Sequence, residues 1–276
     1  MSNRPLRIAA ACLASAALAA PALASVEESL RAAVASPERA EADRARDPHR
    51  HPVETLLFFG LRPDLHVLEL WPGRGWYTEI LGPVLKDAGR LTVTNADPNG
   101  PQDQYQHKMA RAYADWLTAN EARIGKVNVV QVAPPAGLAL GEANSVDLAV
   151  TFRNNHTWLN GDYQDALYRE LFRVLKPGGV LGVVQHRAPA GADAAASAKT
   201  GYLPEAEVIA AAEAAGFVLD AKSEINANPS DTKDYPKGVW TLPPNFAEGE
   251  KDRAKYAAIG ESDRMTLRFE KPLPKE

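Results

Sequence analysis

A single cysteine, Cys12, occurs in 276 residues. It lies in a segment read below as removed on export, so the remaining chain can form no disulfide and must be held together by burial. No basic block stands out either. Lysine and arginine together number 31 against 35 acidic residues, a formal net charge of −4. This argues against nucleic acid and anionic membrane surfaces as partners. Beyond the N-terminus there is no apolar run suited to a membrane span. There is also no internal repeat, serine nucleophile elbow, phosphate loop or pair of glycosidase carboxylates. His49 and His51 form an H-x-H pair between Pro48 and Pro52. That spacing shares no helix face, and no third ligand accompanies it, so no metal is expected.

The N-terminus carries a clear pattern. Arg4 and Arg7 precede a short alanine-rich apolar stretch, and Ala22-x-Ala24 follows as a cleavage pattern. Residues 1–24 therefore read as a secretory signal peptide rather than a transmembrane helix. The expected location is periplasmic or secreted, with no stable membrane insertion once the signal is removed. Losing Arg4 and Arg7 leaves 29 basic residues against 35 acidic, a net charge of −6. The ~250 residues that remain suffice for one large core or one domain with an appendage.

Residues 25–63 read as a helical arm, with Ser25 as N-cap and Glu28 three residues on. From residue 64 to 276 strands and helices alternate. Strand-like runs fall at 66–70, 90–97, 127–132, 145–152, 180–186, 217–224 and 264–272. Helical runs fall at 76–89, 104–124, 163–175 (Asp162 as N-cap) and 204–216. This alternation predicts a doubly wound α/β sheet, mostly parallel, with helices on both faces. The last two strands have no helix between them, so the last one should enter antiparallel. Their connection, residues 225–263, is far longer than the ~4–6 residues typical inside a domain. Its Tyr235, Trp240, Phe246 and Tyr256 mark it as a lid or a partner surface.

The stretch VLELWPGRGWYTEIL (67–81) places Gly73 and Gly75 where a strand gives way to a helix, a position that lets a backbone approach a ligand closely. The third glycine of a dinucleotide fingerprint would fall on Thr78, which disfavours a dinucleotide. A second stretch, ELFRVLKPGGVL, lies at 170–181. Together and in this order the two resemble class I S-adenosylmethionine-dependent methyltransferases, over about residues 53–224 and again in the final strand. The flanking runs DRARDPHRHPVETLLFFGLRP and ESDRMTLRFEKP resemble an exported bacterial subgroup of that family.

The resemblance implies a seven-stranded Rossmann-like methyltransferase sheet and S-adenosylmethionine as cofactor. It places Glu69 at the acidic end of the first motif, toward the methionine end of the cofactor, and Gly73 and Gly75 at close-approach positions. Trp71 stands where the family has a small residue. The acid that takes the ribose hydroxyls aligns with Asp97 or, equally by length, Asn95. The acid expected after the third strand is absent. Tyr77, with Trp76, opens the helix after the turn, as cofactor wall or as core.

Ligands of open parallel sheets sit at the carboxyl ends of the strands. FRNNHTW (152–158) and QHR (185–187) lie there. His156 and His186 are the candidate bases, and Asn155, with Asn154, a candidate for orienting a substrate. Arg153 is read as pairing with a substrate carboxylate or with Glu69. The expected activity is methyl transfer to an unidentified small molecule or protein. The competing expectation is a non-catalytic exported binding protein on the same fold.

Overall fold

The computed structural model describes residues 19–274, with side chains from Val26 onward. Residues 1–18, most of the expected signal peptide, lie outside the described residues. Helix α1 (Ala19–Ala35) runs through Ser25. The N-cap expected at Ser25 therefore belongs only to a chain cut after Ala24. Short helices α2 (Glu41–Arg44), α3 (Asp47–Arg50) and α4 (Pro52–Phe58) complete the N-terminal region.

The main domain then runs β1 (His66–Leu70), α5 (Thr78–Leu85), β2 (Arg90–Asn95), α6 (Tyr105–Ile124), β3 (Val127–Gln131) and β4 (Val146–Phe152). It continues through α7 (Asn155–Asn160), α8 (Gln164–Val174), β5 (Leu175–His186), α9 (Ala194–Ala198), α10 (Glu205–Ala214) and β6 (Val218–Ser223). Helix α11 (Arg253–Ile259) and strand β7 (Arg264–Glu270) close the chain. The strands form one sheet in the order β3-β2-β1-β4-β5-β7-β6. Strands β1 to β5 pair parallel, and β7 pairs antiparallel with both β5 and β6. The expected fold class is observed. The order reverses between β1 and β4, and that reversal opens a crevice at their carboxyl ends.

Each face of the sheet carries its own core. Leu68, Leu70, Leu171, Leu181, Leu203 and Phe269 belong to one, and Val67, Ile80, Leu81, Val93, Leu148 and Val150 to the other. The alternation of Val67 with Leu68 across the two cores is the period-2 consequence of a strand buried on both faces. The N-terminal region is part of the second core, since Val26, Leu30, Val53, Leu56 and Phe59 pack into it. Arg39, 1% exposed, ties it further through ion pairs to Asp47 and to Glu79 on α5, both at 2.8 Å.

Four local expectations are corrected. No helix is expected between the last two strands, yet α11 lies between β6 and β7; β7 is antiparallel all the same, paired in that sense with both β5 and β6. Asp162 is not the cap of α8: it takes a left-handed φ of 56°, and Tyr163 stands at the N-cap with no side-chain hydrogen bond. Strand β5 begins at Leu175, not Val180, because Leu175 pairs with Val146 before a bulge and Val180 resumes against Leu148. The stretch around His156, read as loop, forms the short helix α7. Among the described residues no helix is long and apolar enough to cross a membrane, and no group of three or more His, Cys, Asp or Glu could hold a metal ion.

A two-chamber cleft as candidate active site

Two cavities of about 800 and 670 Å³ open at the carboxyl ends of the parallel strands. They share Trp71, Gly73, Tyr105, Asn154 and Thr157, so they are two chambers of one cleft. Gly73 stands at their junction. Its φ is 62°, a left-handed value that glycine takes without strain, and a Cβ built on it meets no protein atom within 4 Å. Gly75 differs. It has φ 89°, but a Cβ there would meet the Trp116 ring of α6 at 2.9 Å, and Gly75 lines neither chamber. The two glycines, both expected to face a ligand, separate into one at the cleft and one that makes room for a helix. Trp71 holds φ 44°, a left-handed value that only glycine takes without steric cost, and its N–H donates to Thr94 Oγ1 at 3.0 Å. Its indole packs on Trp158 and Tyr163, with centroids 5.9 and 6.4 Å away.

The first chamber extends over β2 and β3. Asn95 and Asp97 both line it. Asn95 Oδ1 accepts from Ala96 N at 2.9 Å and Asp97 Oδ1 from Asn99 N at 2.8 Å. Each therefore keeps some hydrogen-bonding capacity for a ligand, and the alternative between them stays open. The far wall is Gln131, Val132, Ala133, Pro134 and Gly137, with no carboxylate. His107, Met109 and Tyr163 complete it, residues that no local sequence pattern distinguished.

The second chamber extends toward β5 and the segment 225–263. Glu69 lies on its floor, 1% exposed, and accepts from Thr78 Oγ1 at 2.6 Å. Burial drives its carboxyl up to about 8, with the Thr78 bond pulling the other way. At neutral pH it is mainly protonated. Arg153 also lines this chamber, but no hydrogen bond or ion pair joins its guanidinium to the chain among the described residues. Of the two partners expected for Arg153, Glu69 is not paired with it, and the substrate carboxylate stays open. Burial, then the nearby Arg264, pulls the Arg153 guanidinium down to about 10.

His156 and His186 both reach this chamber, with ring centroids 6.0 Å apart. Gln185 Nε2 lies 3.3 Å from His156 Nδ1, and Ser262 Oγ 2.5 Å from His186 Nδ1. Burial lowers His156 to about 4, and lowers His186 well below the usual imidazole range, helped by Arg264 and Arg153. Both rings are neutral and able to accept a proton, though weakly. Tyr77 belongs to this chamber rather than the first. It stacks on Phe152 at 3.4 Å, and burial pushes its phenol up to about 12. Asn155 is the corrected member of the expected set. It is fully buried, donates to the Tyr168 hydroxyl at 2.5 Å and lines neither chamber. Its neighbour Asn154 takes the cleft position, donating to Leu70 O at 2.9 Å and pinning the end of β1 to β4.

Two distant segments finish the chamber. Arg46 and Arg50 come from the N-terminal region. Arg50 sits over the Trp76 ring, 4.5 Å from its centroid, and Trp76 Nε1 donates to Asp43 O at 3.1 Å. Trp240, Pro244 and Asn245 come from the long connection. Trp240 meets His156 edge-on at 5.9 Å. The connection itself is folded, anchored by buried Asn226 on Thr55 and Thr266 and by Asp231 on Tyr202.

With this geometry in hand, residues 68–183 match a family model described as a methyltransferase domain. Solved structures share the fold at low identity. A SAM-dependent methyltransferase from Aquifex aeolicus is 18% identical, covers 74% of this chain and 93% of its own, and has a TM-score of 0.52. The 4+2 cyclase SpnF is 18% identical, covering 93% of this chain and 96% of its own, with a TM-score of 0.54. Phosphoethanolamine N-methyltransferase 2 from Haemonchus contortus, solved with S-adenosyl-L-methionine, is 14% identical, covers 81% and 52%, and has a TM-score of 0.52. No curated protein matches the sequence.

Proposed function

We propose that the chain is an S-adenosylmethionine-dependent methyltransferase of the exported bacterial subgroup that its flanking motifs resemble. The carrying observation is Gly73. It is a left-handed glycine at the carboxyl end of β1, open on its Cβ side and common to both chambers. A cofactor can cross the turn there and present its reactive end to the second chamber. The matched methyltransferase domain spans this same turn.

In this reading the first chamber would hold the adenosine part, with Asn95 or Asp97 available to the ribose hydroxyls and Glu69 toward the methionine end. The cofactor supplies a methyl carbon on a sulfonium, open to in-line displacement. Asn154 and the Gly73 turn fix the geometry, which is the main requirement of such a transfer. Trp240 and Pro244 line the second chamber and would narrow the access of water to a bound acceptor. A proton leaving the attacking atom goes to His156 or His186.

Calorimetry of the mature protein with S-adenosylmethionine and S-adenosylhomocysteine tests the reading; saturable binding of both is expected, and no binding of either would sink it. Absence of an acid after β3 and the indole of Trp71 beside the cleft favour a second reading, a binding protein without catalysis. The SpnF likeness adds that this fold is not confined to proteins named as methyltransferases. Cofactor binding without turnover on any acceptor would select that reading. The domain division proposed is a signal at 1–24, an arm at 25–63 and a methyltransferase-like domain at 64–276 carrying the 225–263 insertion. The acceptor is a small molecule or protein, nucleic acid is not a partner, and the location is periplasmic or secreted. A mature N-terminus at Ser25, read by mass spectrometry of the exported form, is expected.

A further inference from the structure

The second chamber, with the recess of about 40 Å³ beside it that Arg153, Glu261 and Arg264 line, contains more positive charge than the chain neutralises. Glu261 is shared by three guanidiniums: Arg46 Nε at 2.6 Å, Arg50 Nε at 3.2 Å and Arg264 Nη2. Arg153 is a fourth, with no ion pair or hydrogen bond from its guanidinium to the chain among the described residues. Four cations thus surround one carboxylate, an excess of three. Of the other charged wall groups, Asp43 and Arg74 offset each other, and Glu69 is mainly neutral. The donors are also unspent. Arg50 is 1% exposed, yet both of its terminal nitrogens lack a partner, as do Arg46 Nη2 and Arg264 Nε. Buried guanidinium donors are costly to leave unpaired. Both Arg50 Nη atoms are closed off from solvent against Trp76, so they add positive charge behind the chamber wall rather than an open fork.

We propose that the second chamber is the acceptor site, and that it takes a small molecule bearing an oxyanion, a carboxylate or a phosphate ester, held by Arg153 with the charge of Arg46 and Arg50 behind it. The proposal rests on the reading of the adjoining chamber as the S-adenosylmethionine site. In the transfer, a bond forms from an acceptor heteroatom to the methyl carbon while the carbon–sulfur bond breaks. Sulfur keeps the electron pair, and any proton on the attacking atom passes to an imidazole. The anion also serves that proton transfer. Arg153 and Arg264 are among the charges that hold His186 down, and Arg153 acts likewise on His156. An oxyanion among them offsets their field and raises the basicity of both rings.

The test is calorimetry of the mature protein with inorganic phosphate and, separately, acetate, each with and without S-adenosylhomocysteine. Arg153→Gln is the main variant, because its guanidinium supports no contact whose loss would unfold the chain; Arg50→Gln is the second, with circular dichroism on both. Saturable binding of phosphate or acetate by the wild type, weakened about tenfold or more in Arg153→Gln at unchanged S-adenosylhomocysteine affinity, is expected. The arm that binds distinguishes phosphate from carboxylate chemistry. No saturable binding of either anion, or binding that Arg153→Gln leaves intact, overturns the proposal. Anion binding that depends on Arg153 in a protein that ignores S-adenosylhomocysteine supports the anion site and overturns the methyl-transfer reading instead.

Discussion

The two chambers meet at one glycine but are built in opposite ways. The first is a product of strand ends. Its key positions, Trp71, Gly73, Asn95 and Asp97, lie within or just after β1 and β2, and the sheet order alone brings them together. The second is assembled from remote pieces: Arg46 and Arg50 before the sheet, Arg153 and His156 after β4, His186 at the end of β5, and Trp240 from the long connection. The first carries little charge. The second concentrates guanidiniums around one carboxylate. The parallel sheet thus supplies a general nucleotide-sized recess, and the additions outside it decide what else enters.

The strongest way to break this contrast is Glu261→Gln. It removes the shared counter-charge of Arg46, Arg50 and Arg264 from a site where Glu261 is 3% exposed. Breaking a buried ion pair of this kind costs ~3–5 kcal/mol, read from urea unfolding. The pH dependence follows in sign. The arginines hold the Glu261 carboxyl far below its ordinary 4.5. Its contribution is therefore present above pH 4.5, lost as pH falls, and missing from the variant.

Gly73→Val comes next. The added side chain enters the cleft rather than the protein, so the chain should fold with a penalty of ~1–2 kcal/mol for the left-handed backbone. S-adenosylhomocysteine affinity should fall about 100-fold, some 2.7 kcal/mol, in calorimetry. Oxyanion binding in the second chamber should persist. Loss of both would mean that the chambers are one site.

Glu69→Gln sharpens the comparison between the two carboxyls. Glu69 is raised to about 8, the opposite of Glu261. A raised carboxyl contributes stability that is full below pH 4.5 and declines as pH climbs through 8. Gln cannot ionise, so the decline in unfolding free energy between about pH 5 and 8 should be shallower in the variant; equal slopes would show that Glu69 is charged in the fold.

Trp71→Gly gives the smallest effect. It gives up half-buried packing on Trp158 and Tyr163, and recovers the left-handed strain of ~1–2 kcal/mol. A net loss of about 1 kcal/mol is expected in urea unfolding, with a wider first chamber and altered S-adenosylhomocysteine affinity.

Much of the sheet could be read directly. Runs such as HVLEL and SVDLAVTF are short, mostly apolar and bounded by turn residues, which favours strands buried on both faces, and the helical patterns between them favour parallel pairing. The Gly73 turn was legible for the same local reason: a strand, a bend and a helix follow within ten residues. The limits of that reading are also local. Gly73 and Gly75 look alike in the chain, and only the position of Trp116 on α6 separates them. Asn154 and Asn155 are adjacent, yet the register of β4 into α7 sends one to the cleft and the other to Tyr168.

The seven strands, the longer helices between them and the glycine turn were readable in the chain, because each depends on periodicity or on the conformational freedom of a single residue; the short helices α7, α9 and α11 were not, being too brief to show a period. The meeting of Arg46, Arg50 and Arg264 on Glu261, with Arg153 near them, is a matter of packing. Charges separated by more than 200 residues, as Arg46 and Glu261 are, leave no trace in spacing. Their meeting depends on how the N-terminal helices and the long connection pack against the same end of one sheet.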